Sequence, residues 1–237
     1  MVLWASALLG VATACSVAPS DQELRSRTTL PATEQLRSAE ERKIRELIER
    51  MGAVEGLELV RAHVTDSCVR SGEGSVFDSG RPPYVLTCSM RAVAYFGVRG
   101  SVAEALPRIR EADIAVWGPQ DGKGRDVPHA AGTITYALDY LRHGGRTSDG
   151  SKLPSPVLDG PGIDLDWERP DDPLSVLVTA ESPTPCPPAS EIYRRCWVMP
   201  DSPMSMATAR SRNRTFLTVT VGGPESTAYD YFTVRRQ

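Results

Sequence analysis

Lysine is almost missing from this chain of 237 residues: it occurs at 43, 123 and 152, and arginine supplies the rest of the 27 basic residues. With 30 acidic residues the formal net charge is -3. The chain therefore has no global basic footprint, and nucleic acid is not an expected partner. The arginines are spread rather than clustered, which points to compositional bias more than to selection for bidentate anion binding. Beyond the N-terminus no apolar run approaches the roughly 20 residues that a membrane-spanning helix needs. A polytopic membrane protein is excluded.

Chemistry-bearing patterns are scarce as well. The three histidines, His63, His129 and His143, are isolated in sequence, and no serine sits in a G-x-S-x-G elbow. The loop Trp117–Gly124 hints at a phosphate loop, but no Ser or Thr follows Lys123, so it is predicted to be a surface turn. Asn213-Arg214-Thr215 matches a glycosylation acceptor pattern, to which no role is assigned. No metal site and no cofactor are expected.

The first charge-bearing residue lies well beyond the start. Met1 to Ala14 is uncharged and mostly apolar, and Cys15 follows at once. This run is too short to span a bilayer but suits the apolar core of a secretion signal. Small residues, Ala12, Thr13 and Ala14, precede the cysteine. The segment Val11-Ala12-Thr13-Ala14-Cys15 resembles a bacterial lipoprotein signal, with Ala12 where leucine is usual. The resemblance implies that residues 1–14 are removed and that Cys15 is acylated on the outer face of the plasma membrane. An ordinary secretory signal, giving a secreted protein, is the alternative. Residues 15–32 are polar and aperiodic, and are predicted to form a flexible tether.

Five cysteines minus Cys15 leave Cys68, Cys88, Cys186 and Cys196. An even remainder in an exported chain points to two disulfides. Three pairings are possible, of which 68–88 with 186–196 closes the shortest loops. The spacings do not resemble paired zinc knuckles.

The periodicities predict a helix from about Thr33 to Gly52, with Leu36, Ile44, Leu47, Ile48 and Met51 on its apolar face. Strands are predicted at 57–65, 84–98, 114–117, 163–167, 174–179, 192–198, 216–221 and 229–234. Helices follow at 134–142, near 204–210, and from Ser101 to about Ala112. The last opens on a Ser101/Glu104 capping box and is interrupted by Pro107. The fold class is therefore α+β, with antiparallel sheets and helices packed on one face. The two halves share an order of helix, strand, cysteine and strand. That suggests a duplicated disulfide-closed unit, residues 33–130 and 131–237.

One string carries a catalytic resemblance. Gly162-Ile163-Asp164-Leu165-Asp166-Trp167-Glu168 is similar to the active-site strand of family 18 chitinases. Alternation places the acids on one face of a strand, where neighbouring carboxylates raise the pKa of the last. The resemblance implies Glu168 as the acid, Asp166 as the residue stabilising the substrate's acetamido group, and Asp164 as its neighbour. Pro161 stands where the first acid belongs, and too few residues follow for the remaining units of a ~250-residue barrel. The string is accordingly read as coincidental, with Ile163, Leu165 and Trp167 inward and the carboxylates in water.

The chain as a whole resembles the exported lipoproteins of GC-rich actinobacteria, through its signal, polar segment, arginine bias and cysteine-stapled body. That resemblance implies a membrane-anchored, non-enzymatic module binding an envelope protein or glycan, the chitinase-type hydrolase being the alternative.

Overall fold

The two longest strands among the described residues form one antiparallel pair. The computed structural model describes residues 18–71, 83–127, 129–169, 186, 191–222 and 228–236. Strand β1 (Leu57–Arg70) runs against β2 (Tyr84–Val98) in continuous register from Arg61↔Tyr95 to Arg70↔Leu86. β1 from Val60 and β2 from Leu86 to Ala94 alternate buried and accessible residues, the pattern of a sheet with one face in the core, while Ala94–Val98 is buried throughout. A register shift at Leu59/Arg61 marks a bulge, which accommodates Val60 as an extra, fully buried residue.

Five shorter strands complete a single seven-stranded sheet. These are β3 (Leu158–Gly160), β4 (Ile163–Trp167), β5 (Tyr193–Met199), β6 (Thr215–Val221) and β7 (Asp230–Arg235). The order is β3-β4-β6-β2-β1-β5. β6 and β7 pair with opposite ends of β2. All pairings are antiparallel.

Among the described residues five helices accompany the sheet: α1 (Asp21–Thr28), α2 (Pro31–Gly52), α3 (Val102–Glu111), α4 (Ile134–Arg142) and α5 (Met206–Arg212). Ile44, Ile48 and Met51 of α2, Leu106 and Ile109 of α3, and Ile134 and Ala137 of α4 share one core with Ala62, Val64, Ala94 and Phe96 of the sheet. α1 adds Leu24 to a second cluster around Cys68, Cys88 and Leu86 on the same face. α5 packs on the opposite face, where Met206 and Ala209 meet Val60, Tyr95 and Phe216. No helix among the described residues is long and apolar enough to cross a membrane.

The α+β class and the antiparallel sheet hold, as do both disulfides, Cys68–Cys88 and Cys186–Cys196. Cys68 and Cys88 are direct cross-strand partners of β1 and β2.

Other expectations need correction. The tether at 15–32 is folded from residue 18 onward. Ser20 caps α1 in a reciprocal capping box with Glu23, and Leu24 is buried. A buried leucine at helical spacing had too few apolar neighbours in sequence to show a period. The duplicated units 33–130 and 131–237 are not separate: β5, β6 and β7 insert beside β1 and β2 in one sheet. Residues 114–117 are not a strand. Leu36 is exposed, and the buried stripe of α2 runs instead through Thr33, Arg37 and Glu40. α3 continues through Pro107 to Glu111. The predicted signal at 1–14, Cys15 and the strand at 174–179 lie outside the described residues.

Candidate functional site

On β4 the alternation behaves as a half-buried strand should. Ile163, Leu165 and Trp167 are buried, while Asp164 and Asp166 point to the opposite face. Asp164 is opposite Asp159 of β3, and burial first, then the Asp159 charge, pushes its carboxyl above the usual range. Asp166 accepts the Trp167 N–H at 2.8 Å and pairs with Arg169 at 2.7 Å.

Glu168 does not join these two acids in a cleft. Arg210 of α5 grips it in a fork, with Nη1 donating to Oε2 at 2.9 Å and Nη2 to Oε1. The Phe216 N–H also donates to Oε2 at 3.2 Å. Both oxygens are thus occupied by donors, whereas a glycosidase acid must present a proton to a leaving oxygen. The strand itself lies in an open antiparallel sheet between β3 and β6 rather than in a parallel barrel. The structure brings Asp164 and Asp166 onto one face and makes Glu168 the clasp of α5.

The histidines do not converge. His129 is exposed, and His143 closes α4 with Nδ1 3.0 Å from the Asp139 carbonyl. Among the described residues there is no group of His, Cys, Asp and Glu able to hold a metal ion. The Trp117–Gly124 loop is a surface turn filled by its own side chain. Asp121 Oδ1 accepts the N–H groups of Lys123 and Arg125, at 2.8 and 3.0 Å.

His63 is different. It sits on the sheet face opposite α2, on the odd-numbered side of β1 with Thr65. Cross-strand register places Val93 and Arg91 of β2 on one side of this pair, and Val198 and Cys196 of β5 on the other. These residues line a cavity of about 260 Å³ together with Tyr95 and Cys186. The His63 ring meets Tyr95 edge-on, with centroids 6.2 Å apart and planes at 85°. Its Nε2 is buried and has no hydrogen-bond partner among the described residues. Burial, and to a lesser degree Arg61, holds the imidazole below its ordinary pKa, so a neutral ring faces this space. A neutral imidazole nitrogen, a threonine, an arginine and an aromatic wall can hold a small polar group or a planar ring.

Sequence reasoning singled out His63 but not Thr65, Arg91, Tyr95 or Cys196 as its neighbours. The alternation of β1 and β2 gave the face; only the register of three strands could give the company.

A second polar cluster lies under α2, on the core face. Asp66 is fully buried, and Arg37 Nε stands 2.7 Å from its Oδ2. Tyr231 donates to Asp66 Oδ1 at 2.6 Å and accepts from Arg37 Nε at 3.2 Å. Arg37 Nη2 also donates to the Thr28 carbonyl at 3.0 Å, and its guanidinium stacks on Tyr193. Burial pushes the Asp66 carboxyl up, against the pull of Tyr231 and Arg37. Every group here joins α1 or α2 to the sheet, so the cluster holds the helical layer in place.

The fold and cavity define an α+β protein with four helices on one sheet face and, where a bare face was expected, α5 with a small partly polar pocket on the other. No protein family, curated protein or solved structure matches this chain.

Proposed function

We propose that this chain is a lipoprotein anchored on the outer face of the plasma membrane through acylated Cys15. There it binds an envelope ligand, a protein side chain or a glycan, in the cavity around His63. The lipoprotein-like segment at Val11–Cys15 supports the location. The cavity carries the binding reading: His63 Nε2 is buried without a partner among the described residues, beside Thr65 and Arg91. An unsatisfied buried nitrogen is costly, and a ligand donor in the cavity would satisfy it.

The test compares three chains in the producing cells: wild type, Cys15→Ala and His63→Ala. Membrane and medium fractions are assayed, and partners are cross-linked in intact cells and identified by mass spectrometry. Cys15→Ala should move to the medium, and its retention in the membrane fraction would refute the anchor. His63→Ala should stay anchored but lose the cross-linked partner or bound glycan. An unchanged set of bound species would refute the cavity as the binding site.

A further inference from the structure

The anchor point and the folded body are separated by very little chain. From Cys15 to Pro19 there are four peptide steps, a reach of at most roughly 14 Å. Pro19 is already held to the body: Arg70, the last residue of β1, donates to its carbonyl and pairs with Asp21 at 2.9 Å. The Ser20 capping box and buried Leu24 then secure α1 within the next turn.

The end of the sheet at Arg70 is consequently tied close to whatever holds Cys15. Its charge suits a particular surface. Arg25 and Arg27 lie on the exposed side of α1, and Arg235 pairs opposite Tyr84 at the same end, followed by Arg236 on the Pro83 carbonyl. Among the described residues at this end, Arg25, Arg27, Arg70, Arg194 and Arg235 outnumber the carboxylates Asp21, Glu23 and Glu191, of which Asp21 pairs with Arg70 and Glu191 with Arg194. Val69 adds an exposed apolar side chain beside them. Arginines within about a Debye length, ~8–10 Å, of an anionic bilayer are drawn to it.

We propose that the Arg70 end of the sheet is a membrane-contact surface seated on anionic phospholipid headgroups. It rests on the acylation of Cys15 proposed above. β1 then leads away from the bilayer, and its 14 residues carry Leu57 roughly 40 Å from Arg70 at ~3.3 Å per residue. The His63 cavity lies between the two ends, and the turn at Glu55 is distal.

The mature protein, recovered from membranes of the producing cells, is reconstituted into phosphatidylethanolamine–phosphatidylglycerol vesicles with a headgroup-borne quencher. A fluorophore is coupled through an unnatural side chain at Gln22 or at Glu55. Quenching should be several-fold stronger at Gln22. It should fall by roughly twofold or more when Arg25, Arg27 and Arg235 are all changed to Glu, or when phosphatidylcholine replaces phosphatidylglycerol. Equal quenching at both positions overturns the orientation. Quenching at Gln22 that ignores charge reversal and lipid charge overturns the headgroup contact. The intact mass of the recovered protein reports separately on Cys15. Absence of acyl chains removes the lipoprotein reading, and the surface with it.

Discussion

Tyr231, near the C-terminus, donates its phenol to Asp66 at 2.6 Å, and Asp66 has no exposed surface at all. Arg37 completes the arrangement from α2, itself 2% exposed. Three distant stretches of chain therefore depend on one buried carboxylate.

Removing the nearer cation leaves the buried carboxylate to the half-exposed Arg195, whose Nε is 3.9 Å away, and weakening a buried pair in this way costs about 3–5 kcal/mol. Arg37→Ala should lower unfolding free energy by that amount in urea titrations. Tyr231→Phe removes both the bond donated to Asp66 and the one accepted from Arg37, and should cost about 1.5–3 kcal/mol. If Arg37→Ala shifts the midpoint no more than a surface substitution does, the cluster does not hold the helical layer.

The His63 imidazole has its pKa lowered from the ordinary 6.5, chiefly by burial. The unfolded chain therefore takes up this proton first as pH falls. Stability contributed by the neutral ring is present above 6.5 and is lost as pH falls from there through the folded value. Denaturation curves at neutral and mildly acidic pH should show a loss that His63→Gln reduces. NMR titration of the His63 ring should give a midpoint below the ordinary 6.5.

Gly97 faces Asn213 across the α5 side of the sheet. A Cβ at this position would fall 2.2 Å from Asn213 Nδ2 and 2.4 Å from its Cγ. Asn213 is 3% exposed and donates to the Ala209 carbonyl at 3.2 Å, so it has little room to move. Gly97→Ala should destabilise by about 1–3 kcal/mol. The same change on an Asn213→Ala background should cost distinctly less, a coupling that a double-mutant cycle measures. Equal penalties on the two backgrounds would place the strain elsewhere.

Glu168→Gln loosens the fork with Arg210, whose side chain is 37% exposed. The expected loss of stability is modest, about 1 kcal/mol, with Phe216 amide exchange accelerated as its acceptor weakens. Chitooligosaccharide hydrolysis should stay at background for wild type and variant alike. Turnover by wild type that disappears in the variant would restore the hydrolase reading.

Local chemistry carried much of the fold into view. The Val, Tyr and Phe content of Tyr84–Val98 and the alternation of Ile163–Trp167 gave both strands with the bounds they have, because β-branched and aromatic residues suit a pleated surface and a half-buried strand writes its two faces into consecutive residues. The Ser101/Glu104 box located the start of α3, since capping is settled within one turn. α1 escaped notice because it offers the core one leucine, Leu24, and one threonine, Thr28. Its stability comes from docking, and eight residues cannot sustain a helix by propensity alone.

The site was less legible. His63 could be named but not accompanied, because Arg91 and Cys196 reach it only through the pairing of β1 with β2 and β5. Glu168 looked like an acid by spacing, and only the placement of α5 made it a partner of Arg210. The sequence by itself determined the α+β class, the even cysteine set and the in-and-out pattern of Ile163–Trp167, all of them properties of near neighbours. The tertiary structure alone decided that the two halves share one sheet and that Arg37 meets Asp66 under α2. It also decided that a cavity opens on the opposite face. Such long-range partners are set by burial and register, which no local period records.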